Sequence, residues 1–121
     1  MPHEARLGKI LTDRGLAQFG DALINFACSL ALTEKTGQPK GTRVPDRTLA
    51  DAAVKADLRS RLPRRIGRGE VANSLEALLG FVWLEKLLTM DEILTCLRAD
   101  SMSSTENFVK LARLALSRLE A

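Results

Sequence analysis

The stretch Leu16-Ala-Gln-Phe-Gly-Asp-Ala-Leu-Ile-Asn-Phe-Ala-Cys-Ser-Leu-Ala-Leu32 decides the fold. It carries one charge, Asp21. Its polar members Gln18, Asp21, Asn25 and Ser29 are spaced three, four and four residues apart, so on a helix they form one narrow stripe. Everything else is apolar, and nothing alternates with the period of a strand. A helix this apolar belongs in a core, with its stripe facing either water or a polar cleft. Gly20, beside Asp21, costs about 1 kcal/mol against Ala in a helix interior and so points to close approach of another element.

A second stretch repeats the design. In Val71-Ala-Asn-Ser-Leu-Glu-Ala-Leu-Leu-Gly-Phe-Val-Trp-Leu84 the only charge is Glu76. Asn73 lies one turn before it and Gly80 one turn after it. If the two helices pack together, Asp21 and Glu76 can meet. Hard divalent cations such as Mg²⁺ take oxygen ligands, commonly one or two carboxylates plus waters and phosphates. Such a pair near a basic surface is the minimum set for metal-assisted phosphodiester hydrolysis.

Outward from these stretches the chain reads as all-α, with about six helices and a single domain over 1–121. Expected helices cover about 4–12, 16–35, 47–56, 70–88, 89–99 and 105–120. Gly37 ends the second before a loop over 37–45, and Asp46 is the expected N-cap of the third. Residues 57–69 are Arg-rich, carry Pro63, Gly67 and Gly69, and read as mostly loop. Thr89 and Glu92 form a capping box, and residues 100–104 a turn. Trp83 and the four phenylalanines fall at core spacings. The last helix is amphipathic, suited to the core or to a dimer interface.

Composition excludes several classes. At 121 residues, 45% hydrophobic and 27% charged, the chain can bury a real core. Cys28 and Cys96 are far apart and give no metal-ligand spacing or disulfide framework. The single histidine, His3, sits at the N-terminus, which leaves Ser-His and Cys-His catalysis without support. No apolar run is read as a membrane span, and the N-terminus lacks a signal-peptide pattern, so a cytoplasmic location is expected. The net charge of +3 is modest, but between Lys40 and Glu70 nine cations face four anions. Arginines outnumber lysines twelve to six, which suits bidentate phosphate contacts.

Phe19-Gly-Asp-Ala-Leu resembles the Leu-Gly-Asp-Ala/Ser-apolar core of the ribonuclease III signature. Asn73-Ser-Leu-Glu-Ala-Leu-Leu-Gly resembles that family's second motif, Asp-x-apolar-Glu-Ala-Leu-apolar-Gly. The likeness spans most of residues 13–100, and Gly41-Thr-Arg-Val-Pro45 further resembles a short archaeal branch. The resemblance implies a helical endonuclease domain that forms a homodimer and cleaves double-stranded RNA with Mg²⁺ or Mn²⁺, leaving 5′-phosphate and 3′-hydroxyl ends. It implies Asp21 and Glu76 as catalytic and metal-binding residues. Asn73, where the family has an acid, is a candidate further oxygen donor, and Gln18 and Asn25, on the stripe of Asp21, are candidate supporting groups. Two acidic positions of the larger family are Ala17 and Asn73 here, which predicts weaker metal binding. Short bacterial Mini-III relatives likewise keep the two central acids and lack a double-stranded-RNA-binding domain, as this chain is expected to.

RNA affinity then falls to the basic stretch. Lys40, Arg43, Arg61, Arg64, Arg65 and Arg68 are the expected backbone contacts, since double-stranded RNA is recognised mainly through phosphates and shape. Two rival readings are a catalytically silent RNA-binding scaffold of the same fold and a helical DNA-binding protein. No convincing helix-turn-helix spacing supports the second.

Overall fold

A computed structural model describes the backbone of residues 3–99 and 103–120, and side chains from Arg6 onward within them. The His3 side chain and most of the expected turn at 100–104 lie outside the described residues. Among the described residues six α-helices follow in order: α1 His3–Leu11, α2 Arg14–Thr36, α3 Asp46–Lys55, α4 Arg68–Leu84, α5 Met90–Leu97 and α6 Ser104–Glu120. A short 3-10 turn, Arg59–Arg61, lies between α3 and α4, and no strand occurs among the described residues.

The core forms around α4, where Val71, Ala72, Leu75, Leu78, Leu79 and Val82 are all buried. Against it pack Leu7, Ile10 and Leu11 of α1, the small residues Ala50, Ala52 and Ala53 of α3, and Phe108, Leu111 and Ala115 of α6. The last helix therefore closes the core. It is pinned to α5 by Arg118, whose guanidinium pairs with Glu92 and donates to the Leu87 carbonyl at 3.0 Å. Glu92 also completes the expected capping box with Thr89.

Several boundaries move from the expectation. Asp13 caps α2, its carboxylate accepting from the Leu16 N–H at 2.9 Å, so the helix starts two residues early. Asp46 is the first residue of α3 and Pro45 its cap. The 3-10 turn interrupts the expected loop, and α4 begins two residues early. It also ends four residues early, because Lys86 takes a left-handed φ of 59° and the Leu87 N–H closes onto the Val82 carbonyl at 2.8 Å. Gly37 ends α2 as expected, with φ 72°.

The aromatic expectation needs correction. Phe108 is buried and Phe81 and Trp83 are half-buried, but Phe19 and Phe26 are exposed. They lie seven residues apart and so on one side of α2. By length and composition α2 is also apolar enough to cross a membrane, contrary to the reading that no such run exists. Here one side of it packs on α4 and another holds a loop.

Candidate active site

α2 and α4 cross backbone to backbone. A Cβ built on Gly20 would lie 1.8 Å from the Glu76 carbonyl oxygen. One built on Gly80 would lie 2.8 Å from the Leu16 carbonyl oxygen and 3.2 Å from the Gly20 nitrogen. The expected close approach is thus real and mutual. It sets Asp21, next to Gly20, against Glu76.

The two carboxyl groups are within hydrogen-bonding reach. Glu76 is 4% exposed, whereas the Asp21 side chain is almost half open to solvent. Burial pushes the Glu76 carboxyl up from 4.5 to about 8, helped by the hydrogen bond and negative charge of Asp21 and by the charge of Asp46. Arg43 acts in the opposite sense. Without a bound cation, the pair therefore holds a proton at neutral pH.

Asparagines brace both acids. Asn25 Nδ2 donates to Asp21 Oδ1 at 3.1 Å. The Asn73 amide, oriented to satisfy its surroundings, donates from its nitrogen to Glu76 Oε1 at 3.1 Å and to the Gly69 carbonyl at 3.2 Å. That orientation leaves the amide oxygen as the atom able to ligate a cation.

The polar stripe of α2 is not a bare solvated face. Asn25 Oδ1 accepts from the Val44 N–H at 2.8 Å, Ser29 Oγ from Thr42 at 2.9 Å, and Thr33 Oγ1 from Lys40 at 3.0 Å. Ser29 and Thr33 also donate back to the Thr42 and Lys40 carbonyls. The registers match because two residues of extended chain advance about 6.6 Å and four of helix about 6 Å. The segment 40–44 is therefore laced antiparallel onto α2. It brings Arg43 to Asp21, with Nη2 3.8 Å from Oδ2.

Beside the acids lies a groove of about 430 Å³, whose lining includes Asp13, Ala17, Gln18, Asp21, Glu70 and Asn73. Leu62, Pro63 and Ile66 line it as well. Both departures from the family's acidic pattern, Ala17 and Asn73, thus border it. Ala17 is almost fully buried and presents only a methyl group where the larger family has an acid.

The arginines divide by role. Arg59 donates to the Pro63 carbonyl at 2.9 Å and to the Arg64 carbonyl at 2.6 Å, folding the loop that forms the groove wall. Arg64 and Arg65, between the wall residues Pro63 and Ile66, are exposed, as are Arg68 and Lys40. Arg61 is half-buried. Sequence reasoning missed the placement of Asp13 and Glu70 on the groove, the effect of Asp46 on Glu76, and the pairing of Arg43 with Asp21. No local signal marked them, since each depends on how loops return to the helices.

Among the described residues no group of three or more His, Cys, Asp or Glu side chains is arranged to hold a metal ion. The donor set is two neighbouring carboxylates and an amide. That suits a hard divalent ion keeping several waters, and not a zinc site closed by the protein. A family model described as Ribonuclease III matches residues 14–118. No curated protein matches the chain.

Proposed function

Because the chain belongs to the ribonuclease III family, we propose that it is a divalent-metal-dependent endoribonuclease acting on double-stranded or structured RNA. The observation that carries this is the Gly20–Gly80 crossing, which sets Asp21 beside the buried Glu76 so that its charge helps to raise the Glu76 carboxyl. Two carboxyl groups forced together, one with its pKa raised to about 8, form a site that a cation would relieve. Asp21, Glu76 and the Asn73 oxygen would hold Mg²⁺ or Mn²⁺, which supplies an activated water and charge neutralisation at the phosphate.

The chain's own groups do the rest. Asn25 and Asn73 orient the two acids, and Gln18 lines the groove beside Asp21. Lys40, Arg43, Arg64, Arg65 and Arg68, with Arg61 behind them, contact RNA phosphates. In the hydrolysis a water oxygen bonds to phosphorus, the bond to the 3′-oxygen breaks, and that oxygen takes up a proton. The products carry 5′-phosphate and 3′-hydroxyl ends. Two copies would serve two strands, and the exposed α2 strip Phe19, Ala22 and Phe26 is the surface for a second copy. A cytoplasmic setting agrees with this substrate.

The test is incubation with a duplex RNA and Mg²⁺ or Mn²⁺, beside Asp21→Asn and Glu76→Gln. Cleavage lost in both supports the enzyme, and equal cutting by either variant removes that residue from the site. A silent RNA-binding scaffold is the second reading, favoured by Ala17 buried where the larger family has an acid. RNA binding with no metal-dependent cutting would establish it. Family membership sets the DNA-binding reading aside.

A further inference from the structure

We infer that Arg43 belongs to the reaction centre itself: it neutralises Asp21 while no metal ion is bound, and it passes to the scissile phosphodiester when a divalent cation takes its place. The inference rests on the proposed activity and concerns the order of cations at the same site.

The backbone of Arg43 is held on both sides. The Thr42 N–H donates to Ser29 and the Val44 N–H to Asn25, and the same Asn25 amide donates to Asp21 Oδ1. Asn25 thereby ties Asp21 directly to the segment that carries Arg43. With Oδ1 taken by Asn25, Oδ2 is the oxygen that faces the guanidinium.

The side chain is held loosely by contrast. Its nitrogen is 3.8 Å from Oδ2, too long for a hydrogen bond, and the side chain is 81% exposed. A pair this open is weak and breaks easily. Two cations cannot share one carboxylate oxygen at close range without repulsion, so occupancy of the acid pair by a divalent ion displaces the guanidinium. Its fixed backbone keeps it within a side-chain length of the carboxylates. It then meets the substrate where negative charge accumulates, and its planar fork suits two non-bridging phosphate oxygens. Arg64 and Arg65, exposed in the loop before α4, form no ion pair with an acid among the described residues.

The experiment compares the full chain with Arg43→Ala, Arg43→Lys and Lys40→Ala. Mn²⁺ affinity is read by calorimetry without RNA, and single-turnover cleavage at saturating duplex RNA is read separately. Arg43→Ala should bind Mn²⁺ about two- to fivefold more tightly, the range of an exposed ion pair. It should also cleave about 100-fold more slowly, the scale of losing one charge-stabilising donor. Arg43→Lys should restore part of both, and Lys40→Ala should leave Mn²⁺ affinity unchanged. A merely structural role would move binding and cleavage in the same direction. Unchanged or weaker Mn²⁺ binding by Arg43→Ala, or unchanged cleavage, overturns the inference while the enzyme reading stands. If Asp21→Asn and Glu76→Gln bind Mn²⁺ as well as the parent chain, the site itself fails, and the inference with it.

Discussion

Gly20 lies so close to Glu76 that a side chain on the first would collide with the backbone of the second, a built Cβ falling 1.8 Å from the Glu76 carbonyl oxygen. The contact explains why each lone acid comes with a glycine. Small residues let the two backbones touch, and touching backbones bring together two carboxyl groups that would otherwise be held apart.

Gly20→Ala should therefore cost about 3 kcal/mol, the upper range for overpacking, because the atom in the way is backbone and cannot rotate aside. Gly80→Ala meets its nearest atom at 2.8 Å and should cost less, about 1–2 kcal/mol. Urea unfolding measures both. Gly20→Ala should also cut poorly even where it remains folded, since the shift separates Asp21 from Glu76. Parental stability in Gly20→Ala would mean that the helices do not cross here.

The Glu76 proton makes stability fall as pH rises. The group titrates near 4.5 in the unfolded chain and near 8 in the folded one. Between those values the native state holds a proton that the unfolded state has lost. Stability contributed by this group is complete below about pH 4.5 and is lost up to about pH 8, at roughly 1.4 kcal/mol per unit within the window. Denaturant midpoints should drop from pH 5.5 to pH 8, and Glu76→Gln should flatten the curve. Mg²⁺ should restore the parent at pH 8 and do little for Glu76→Gln, since an ion that binds only the native state stabilises it. A parent profile as flat as that of Glu76→Gln would show that Glu76 is an ordinary carboxylate.

The helices and the acid pair were legible because they rest on local patterns. Asp21, Glu76 and their glycines stand out against apolar neighbours at helical spacing, and Thr89 with Glu92 forms a capping box that geometry alone dictates. The end of α4 was not legible, since Lys86 adopts a left-handed φ where no glycine marks the turn. The lacing of 40–44 onto Thr33, Ser29 and Asn25 was hidden for another reason. Both halves look polar and solvated until the chain reverses at Gly37 and sets their registers side by side. Phe19 and Phe26 misled because helical spacing tells which residues share a face, not whether anything covers it.

Arg59 and its neighbours should separate cleanly. Arg64→Ala with Arg65→Ala removes two exposed cations and should lower the salt dependence of RNA binding by about two phosphate contacts. Stability should hardly change. Arg59→Ala loses two hydrogen bonds to the loop backbone and should cost about 1–2 kcal/mol, with a smaller change in that slope. Filter binding across a salt series, with thermal melts, checks both. If the double variant keeps the parent slope, the loop does not touch phosphates.

Self-association is the last expectation that the proposed function raises. Phe26 is 58% exposed, and Phe19 and Ala22 lie along the same strip at helical spacing. Exposed apolar strips of this kind mark interaction surfaces. The strip flanks Asp21 on α2, so a second copy seated there would place two acid pairs near one duplex. Phe26→Glu puts a buried charge into that interface but stays solvated in a single chain. It should therefore halve the mass seen by light scattering, with helix content unchanged by circular dichroism. A parent chain already monomeric at high micromolar concentration would leave the strip without a partner copy, and duplex cleavage would then have to proceed one strand at a time.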